Sequence, residues 1–155
     1  MRKAKAKKAP WAPDPRYSDP LVTRFVNTMM WEGKKSRAFT IFYDAMDIIE
    51  KQTKEKGLEV YKKALNNVMP AVEVRSRRIG GATFQIPAEI RPDRKISVTM
   101  KWIISYARAR KGQSMAKKLA SELIAASKNE GNAVKKKEDT HKMAEANKAF
   151  AHFRT

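Results

Sequence analysis

Arg75, Arg77 and Arg78 stand within four residues of one another, directly ahead of Gly80 and Gly81. A guanidinium is a planar fork of donors that matches two phosphate oxygens at once. Adjacent glycines let the backbone approach such a group closely. Surfaces that merely face water usually interleave both signs of charge, whereas only Glu73 and Glu89 lie near these arginines. The pattern points to phosphate recognition rather than incidental charge.

Other cations cluster too. Residues 91–118 carry Arg91, Arg94, Lys95, Lys101, Arg108, Arg110, Lys111, Lys117 and Lys118 against one acid, Asp93. Lys34 and Lys35 follow Gly33, where pattern alone supports ordinary loop lysines and RNA contacts equally. Gly33-Lys34 is not a phosphate-binding loop, because the upstream glycine and the strand are missing. Lys135, Lys136 and Lys137 open a predicted helix, where cations oppose the dipole, so an anionic partner explains them better than chance. Trp11, among Pro10, Pro13 and Pro15, can stack on a base. Trp31 and Trp102 lie beside apolar stripes and are expected to be core or packing residues.

Catalytic chemistry has little to work with. The two histidines, His141 and His152, fall about three turns apart on one predicted helix, too far to share a metal. Asp139 and His141 are near neighbours in sequence but point in different directions on a helix, which leaves them helix-surface hydrogen bonds or RNA contact. There is no cysteine, hence no disulfide and no thiol nucleophile, as suits a reducing compartment. No nucleotide loop and no carboxylate cluster for Mg²⁺ is evident. No enzyme, cofactor or metal is expected.

The chain has 155 residues, with 34 Lys and Arg against 16 Asp and Glu, a formal net charge of +18. Self-repulsion on that scale opposes compaction, and a polyanion relieves it. An anionic membrane surface is the rival, but no stretch is apolar enough to span a bilayer. The basic start lacks the apolar run of a secretory signal.

These groups need elements to position them. Residues 1–16, with Arg2, Lys3, Lys5, Lys7, Lys8 and Arg16 against Asp14 alone, read as a basic arm without regular structure. Residues 17–155 read as one mainly α domain of about six helices, with a β-hairpin at about 72–90 protruding between the third and fourth. Asp19 and Pro20 start the first helix, which Gly33 stops. Ser36 is expected to cap the second, whose stripe is Ala38, Ile41, Phe42, Ala45, Met46 and Ile49. The third runs from about Leu58 to Met69. Val72 to Arg78 and Ala82 to Ile90 alternate about Gly80-Gly81, and such an arm reaches roughly 20 Å. Asp93 and Ser114 are expected caps for helices four and five. Helix six starts near Asn132 with Met143, Ala146, Phe150 and Phe153 inward. The acids Asp44, Asp47, Glu50, Glu55 and Glu59 turn the second helix away from the polyanion, which leaves the arm, the hairpin and helices four to six as the basic face.

Several stretches together resemble the bacterial small-subunit ribosomal protein seven family. They are Leu21 to Phe25 with Gly33-Lys34-Lys35, Ala64 to Pro70, Arg77 to Pro87, Glu89 to Pro92, and the tail from Val134 to Arg154. The likeness runs in order along essentially the whole chain. Phe84, Ile86, Lys137 and Thr155 depart from the usual tyrosine, valine, arginine and tryptophan. The resemblance implies a helical domain with a protruding hairpin and primary binding to the 3′ major domain of the small-subunit rRNA. It also implies nucleation of head assembly in the cytoplasmic bacterial ribosome. Its implied position is near exit-site tRNA and mRNA, with small-subunit ribosomal proteins nine and eleven as neighbours. No homo-oligomer and no membrane partner is implied. Carried over by residue, the RNA contacts are the arm lysines, Lys34, Lys35, Arg75, Arg77, Arg78, Arg91, Arg94, Lys95, Arg108, Met115 and Lys148. Periodicity alone places Met115 in the core. Arg2, Gly80, Gly81, Lys135, Lys136, Lys137 and Lys142 complete the expected set. An architectural DNA binder and an RNA-modifying enzyme are the competing classes.

Overall fold

The computed structural model describes residues 10–154, the last two in backbone only. Arg2, Lys3, Lys5, Lys7 and Lys8 therefore lie outside the described residues, as does the side chain of Phe153. Six helices run in the order α1 (Pro20–Met29), α2 (Lys35–Thr53), α3 (Gly57–Val68), α4 (Pro92–Ala109), α5 (Met115–Ser127) and α6 (Asn132–Ala146). A two-stranded antiparallel sheet, β1 (Val72–Ile79) and β2 (Ala82–Glu89), separates α3 from α4, and a 3₁₀ segment (Lys148–Arg154) follows α6.

α1 begins as expected: the Asp19 carboxylate accepts the Leu21 N–H at 2.8 Å, with Pro20 in the first turn. Two other expected caps fail. The turn before α2 holds Glu32 and Gly33 at positive φ (51° and 70°) and brings the chain into helical geometry by Lys35, so Ser36 falls inside the helix. At α4, Arg91 precedes a proline and is extended, so Arg91 holds the cap position and Asp93 lies in the first turn. There its charge still suits the positive helix end. Ser114 holds the cap position of α5 without a side-chain bond. α1 ends at Met29, four residues short of Gly33.

Phe25, Phe42 and Tyr61, all fully buried, meet with centroids 5.3–5.6 Å apart and bind α1, α2 and α3 together. A Cβ on Gly57 would stand 2.9 Å from the Met46 carbonyl oxygen, so only glycine permits this approach of α3 to α2. α5 is the central helix and packs on α2, α3, α4 and α6, with Leu119 and Leu123 fully buried. α6 docks along Ala133, Val134, Thr140 and Ala144. Met143 is 46% exposed and Ala146 is exposed, contrary to the expected stripe, because they lie to the side of that line.

The last residues assigned to the arm are tied down. Asp14 is buried; its carboxylate accepts the N–H groups of Arg16 and Tyr17 and the Tyr43 hydroxyl at 2.6 Å. Burial and the Asp14 carboxylate push that hydroxyl up to about 12. Arg16 binds Asp47 at 2.6 Å. Asp14 and Arg16, both within the expected arm, are thus bonded to the body.

Candidate nucleic-acid interface

Gly80 and Gly81 form the two-residue turn of the hairpin, with φ of 55° and 89°. Positive φ at both positions is the twist-matched geometry that lets two residues close a hairpin. The register pairs Arg75 with Ile86, Arg77 with Phe84 and Arg78 with Thr83. Directly paired residues share a face, so the apolar side chains of β2 lie on the same face as Glu73, Arg75 and Arg77. All three arginines are exposed, while Ile86 is buried. The hairpin is also less bare than its sequence suggests. α6 packs on both strands, the 3₁₀ segment packs on β2, and Phe150 meets Phe84 at 5.3 Å.

Glu73 organises the base of the hairpin. Its carboxylate receives Arg75 Nε at 2.7 Å and Arg94 Nε at 2.9 Å, which joins β1 to the start of α4. Burial pushes this carboxyl up, but the two guanidinium bonds outweigh it and hold the group below the ordinary range. Beside the pair lies an open groove of about 710 Å³ lined by Arg75, Arg91 and Arg94, with Pro92 and Asp93. Three guanidinium-bearing side chains converge on one groove, and Glu73 aims two of them. Sequence reasoning counted Glu73 only as a nearby acid.

The remaining expected residues divide. Lys34 and Lys35 are exposed, Lys34 paired with Glu32 and Lys35 lying 5.7 Å from the Phe39 ring centre. Lys95 is half-buried in the first turn of α4. Arg108 donates to the Met29 carbonyl at 2.9 Å and lies over Trp31 at 4.7 Å. Of the two tryptophans expected to be core or packing residues, Trp31 is 69% exposed and lies outside the core, while Trp102 packs against it. Met115 is half-buried in the groove beside Trp31, a position that suits both the contact implied by resemblance and the core role read from spacing. Lys135, Lys142 and Lys148 are exposed. Lys136 is half-buried, and Lys137 donates to the Asn67 carbonyl at 2.7 Å near the end of α3. Lys137 is thus engaged inside the protein, at a helix end that favours a cation.

Two polar groups outside the expected set are structural. Glu122 is fully buried, receives Arg110 Nε at 2.8 Å, and accepts the Ala133 N–H at 3.1 Å. That carboxylate complements the dipole at the start of α6, which Lys135 in its first turn opposes. His141 Nε2 accepts the Ala71 N–H at 3.1 Å and so pins α6 to the entry of β1. Among the described residues no group of three His, Cys, Asp or Glu is placed to hold a metal, and no helix is long and apolar enough to cross a membrane.

A helical body that carries a braced cationic hairpin defines a protein that binds nucleic acid rather than transforming a substrate. The family described as ribosomal protein S7p/S5e matches residues 1–148, and the chain belongs to that family of structural, non-enzymatic ribosomal proteins. The small ribosomal subunit protein uS7 of Flavobacterium johnsoniae is 70% identical over 99% of both chains. That of Cytophaga hutchinsonii is 64% identical, again over 99% of both. That of Gemmatimonas aurantiaca is 58% identical over 99% of this chain and 98% of its own.

Proposed function

We propose that this chain is a structural constituent of the bacterial small ribosomal subunit, in the cytoplasm, and a primary binder of its rRNA. On this reading it binds the 3′ major domain, nucleates assembly of the subunit head, and lies near exit-site tRNA and mRNA. Small-subunit ribosomal proteins nine and eleven are its neighbours. Family membership supports the coarse role. The observation that carries the finer one is the groove between hairpin and α4, where Arg75, Arg91 and Arg94 converge and Glu73 fixes two of them in place. A guanidinium fixed in advance loses less freedom when phosphate arrives. The contacting set is that expected from sequence, with the internally bonded Lys137 the weakest member. The division at residue 16 becomes an arm that reaches RNA up to about Pro13 and a body that begins at Asp14.

Competition binding tests this reading. Full-length chain is titrated with labelled 3′ major-domain rRNA against unlabelled whole small-subunit rRNA and duplex DNA. The rRNA should compete at equal site concentration and the duplex only in large excess. If six to ten phosphates are neutralised, raising salt from about 50 to about 200 mM should weaken binding roughly a thousandfold or more. Equal competition by duplex DNA, or an affinity indifferent to salt, would overturn the proposal.

A further inference from the structure

Trp31 is the most exposed large hydrophobic side chain among the described residues, at 69%. It stands in the α1–α2 turn, whose path is set by positive φ at Glu32 and Gly33. The Arg108 guanidinium lies 4.7 Å from the indole centre and is itself anchored on the Met29 carbonyl at 2.9 Å. A groove of about 200 Å³ opens beside the ring. Its floor is apolar, with Ile41 and Met115, and its rim is cationic, with Lys34, Arg37 and Arg108. A flat, electron-rich ring backed by a fixed cation, next to further cations, matches one ligand chemistry closely. A nucleobase supplies a plane to stack, and the phosphate beside it supplies the anion.

We infer that Trp31, backed by Arg108, is a stacking platform for an unpaired nucleobase of the bound RNA, with Arg37 and Lys34 beside the flanking phosphate. The inference rests on the reading of the chain as an rRNA binder and names a contact that reading does not contain. A neutral apolar peptide fits less well, since it would leave the cationic rim without a counter-charge. Stacking is tolerant of base identity because every base has a π-face, so an unpaired nucleotide is specified but not its letter.

The test uses full-length Trp31→Ala, Trp31→Leu and Trp31→Phe on deproteinised small-subunit rRNA, with melting temperature measured for each. Because the ring is largely in water, melting should stay near wild type. The alanine and leucine variants should bind roughly tenfold more weakly, the scale of one lost base–aromatic stack, and phenylalanine should keep most of the affinity. The slope of log affinity against log salt should not change, since no phosphate contact is removed. Ultraviolet crosslinking of the wild-type complex should attach a nucleotide to the peptide containing Trp31, a readout that does not depend on any variant folding. Wild-type affinity in Trp31→Leu overturns the stacking role while leaving rRNA binding intact. A loss accompanied by a shallower salt slope also overturns it, because the effect would then come from displaced lysines and arginines. Failure of the wild-type chain to bind rRNA overturns both readings.

Discussion

Glu73 serves the cationic surface of the hairpin from inside it. A lone acid among arginines weakens phosphate binding if its only effect is charge, but this one binds Arg75 and Arg94 at once and is little exposed. It therefore sets where the two guanidinium groups stand. The same pairing makes stability depend on acid. The folded carboxyl is held below its ordinary value, so its contribution is complete above the unfolded carboxylate pKa of about 4.3 and fades as pH falls through the depressed folded value. Melting followed between about pH 6 and about pH 3 should fall less steeply in Glu73→Gln than in wild type. Asp19, where burial raises the carboxyl but the bonds from Lys62 and the Leu21 N–H together with the Lys62 charge outweigh it, remains in that variant, so the slope should shrink rather than vanish. An unchanged slope would mean the pairing contributes nothing to folding. Arg77 and Arg78 provide the contrast. Both are exposed, so changing both to alanine should leave melting nearly unaltered. It should cost about 1–3 kcal/mol of rRNA binding per charge-assisted bond lost, with a salt slope shallower by about one unit for each phosphate contact removed. Wild-type affinity and slope in the double variant would shift the RNA-reading role to α4 and α6.

At the scale of elements, helix existence was written in apolar spacing: of the stripe expected for α2, Ala38, Phe42, Ala45, Met46 and Ile49 are buried and Ile41 is half-buried. The hairpin was equally plain, since Gly80-Gly81 between two alternating runs leaves little else to form. Caps and edges were not legible. Ser36 and Asp93 are good capping residues by type, but the chain's path before each helix decides which residue stands at the boundary. Trp31 was misplaced for a related reason: it follows the α1 stripe in sequence, yet the helix ends at Met29 and the next residues leave its periodicity. Nor could spacing reveal the bond from Lys137 to Asn67, or that from half-buried Arg110 to buried Glu122, because each joins separate elements. Docking of the C-terminal 3₁₀ segment on β2 belongs to the same class. Phe150→Ala should free the outer half of the hairpin. Amide exchange should accelerate across residues 82–89 while α3 and α5 keep their protection. The stability cost should stay below the roughly 3–5 kcal/mol of a fully buried phenylalanine, because Phe150 is only half-buried. Unaltered exchange in β2 would show that α6 alone holds the hairpin.

Across the whole molecule, the charge of +18 is shared between the basic arm and a body that commits several of its acids to bonds within the protein. Asp14, Asp19, Asp47, Glu73 and Glu122 each bind a partner within the protein, which leaves the cations of the hairpin, α4 and α6 in excess at the surface. This division makes two truncations behave differently although they differ by only a few residues. Removing residues 1–10 takes away five lysines and arginines from a stretch whose sequence has no apolar stripe. It should weaken rRNA binding and flatten its salt dependence, while melting stays close to that of the full chain. Removing residues 1–16 also deletes Asp14 and Arg16. Tyr43 then loses its carboxylate acceptor, Asp47 loses its guanidinium, and Tyr17 loses the bond that ties its N–H to Asp14. A part-buried hydroxyl left without a partner costs about 1–3 kcal/mol, so the longer truncation should melt measurably lower even where no RNA is present. Thermal unfolding of both forms, beside filter binding at two salt concentrations, separates the effects. Equal melting of the two truncations would show that Asp14 does not anchor the chain. A large drop already on removal of residues 1–10 would show that the basic arm packs on the body instead of reaching for RNA.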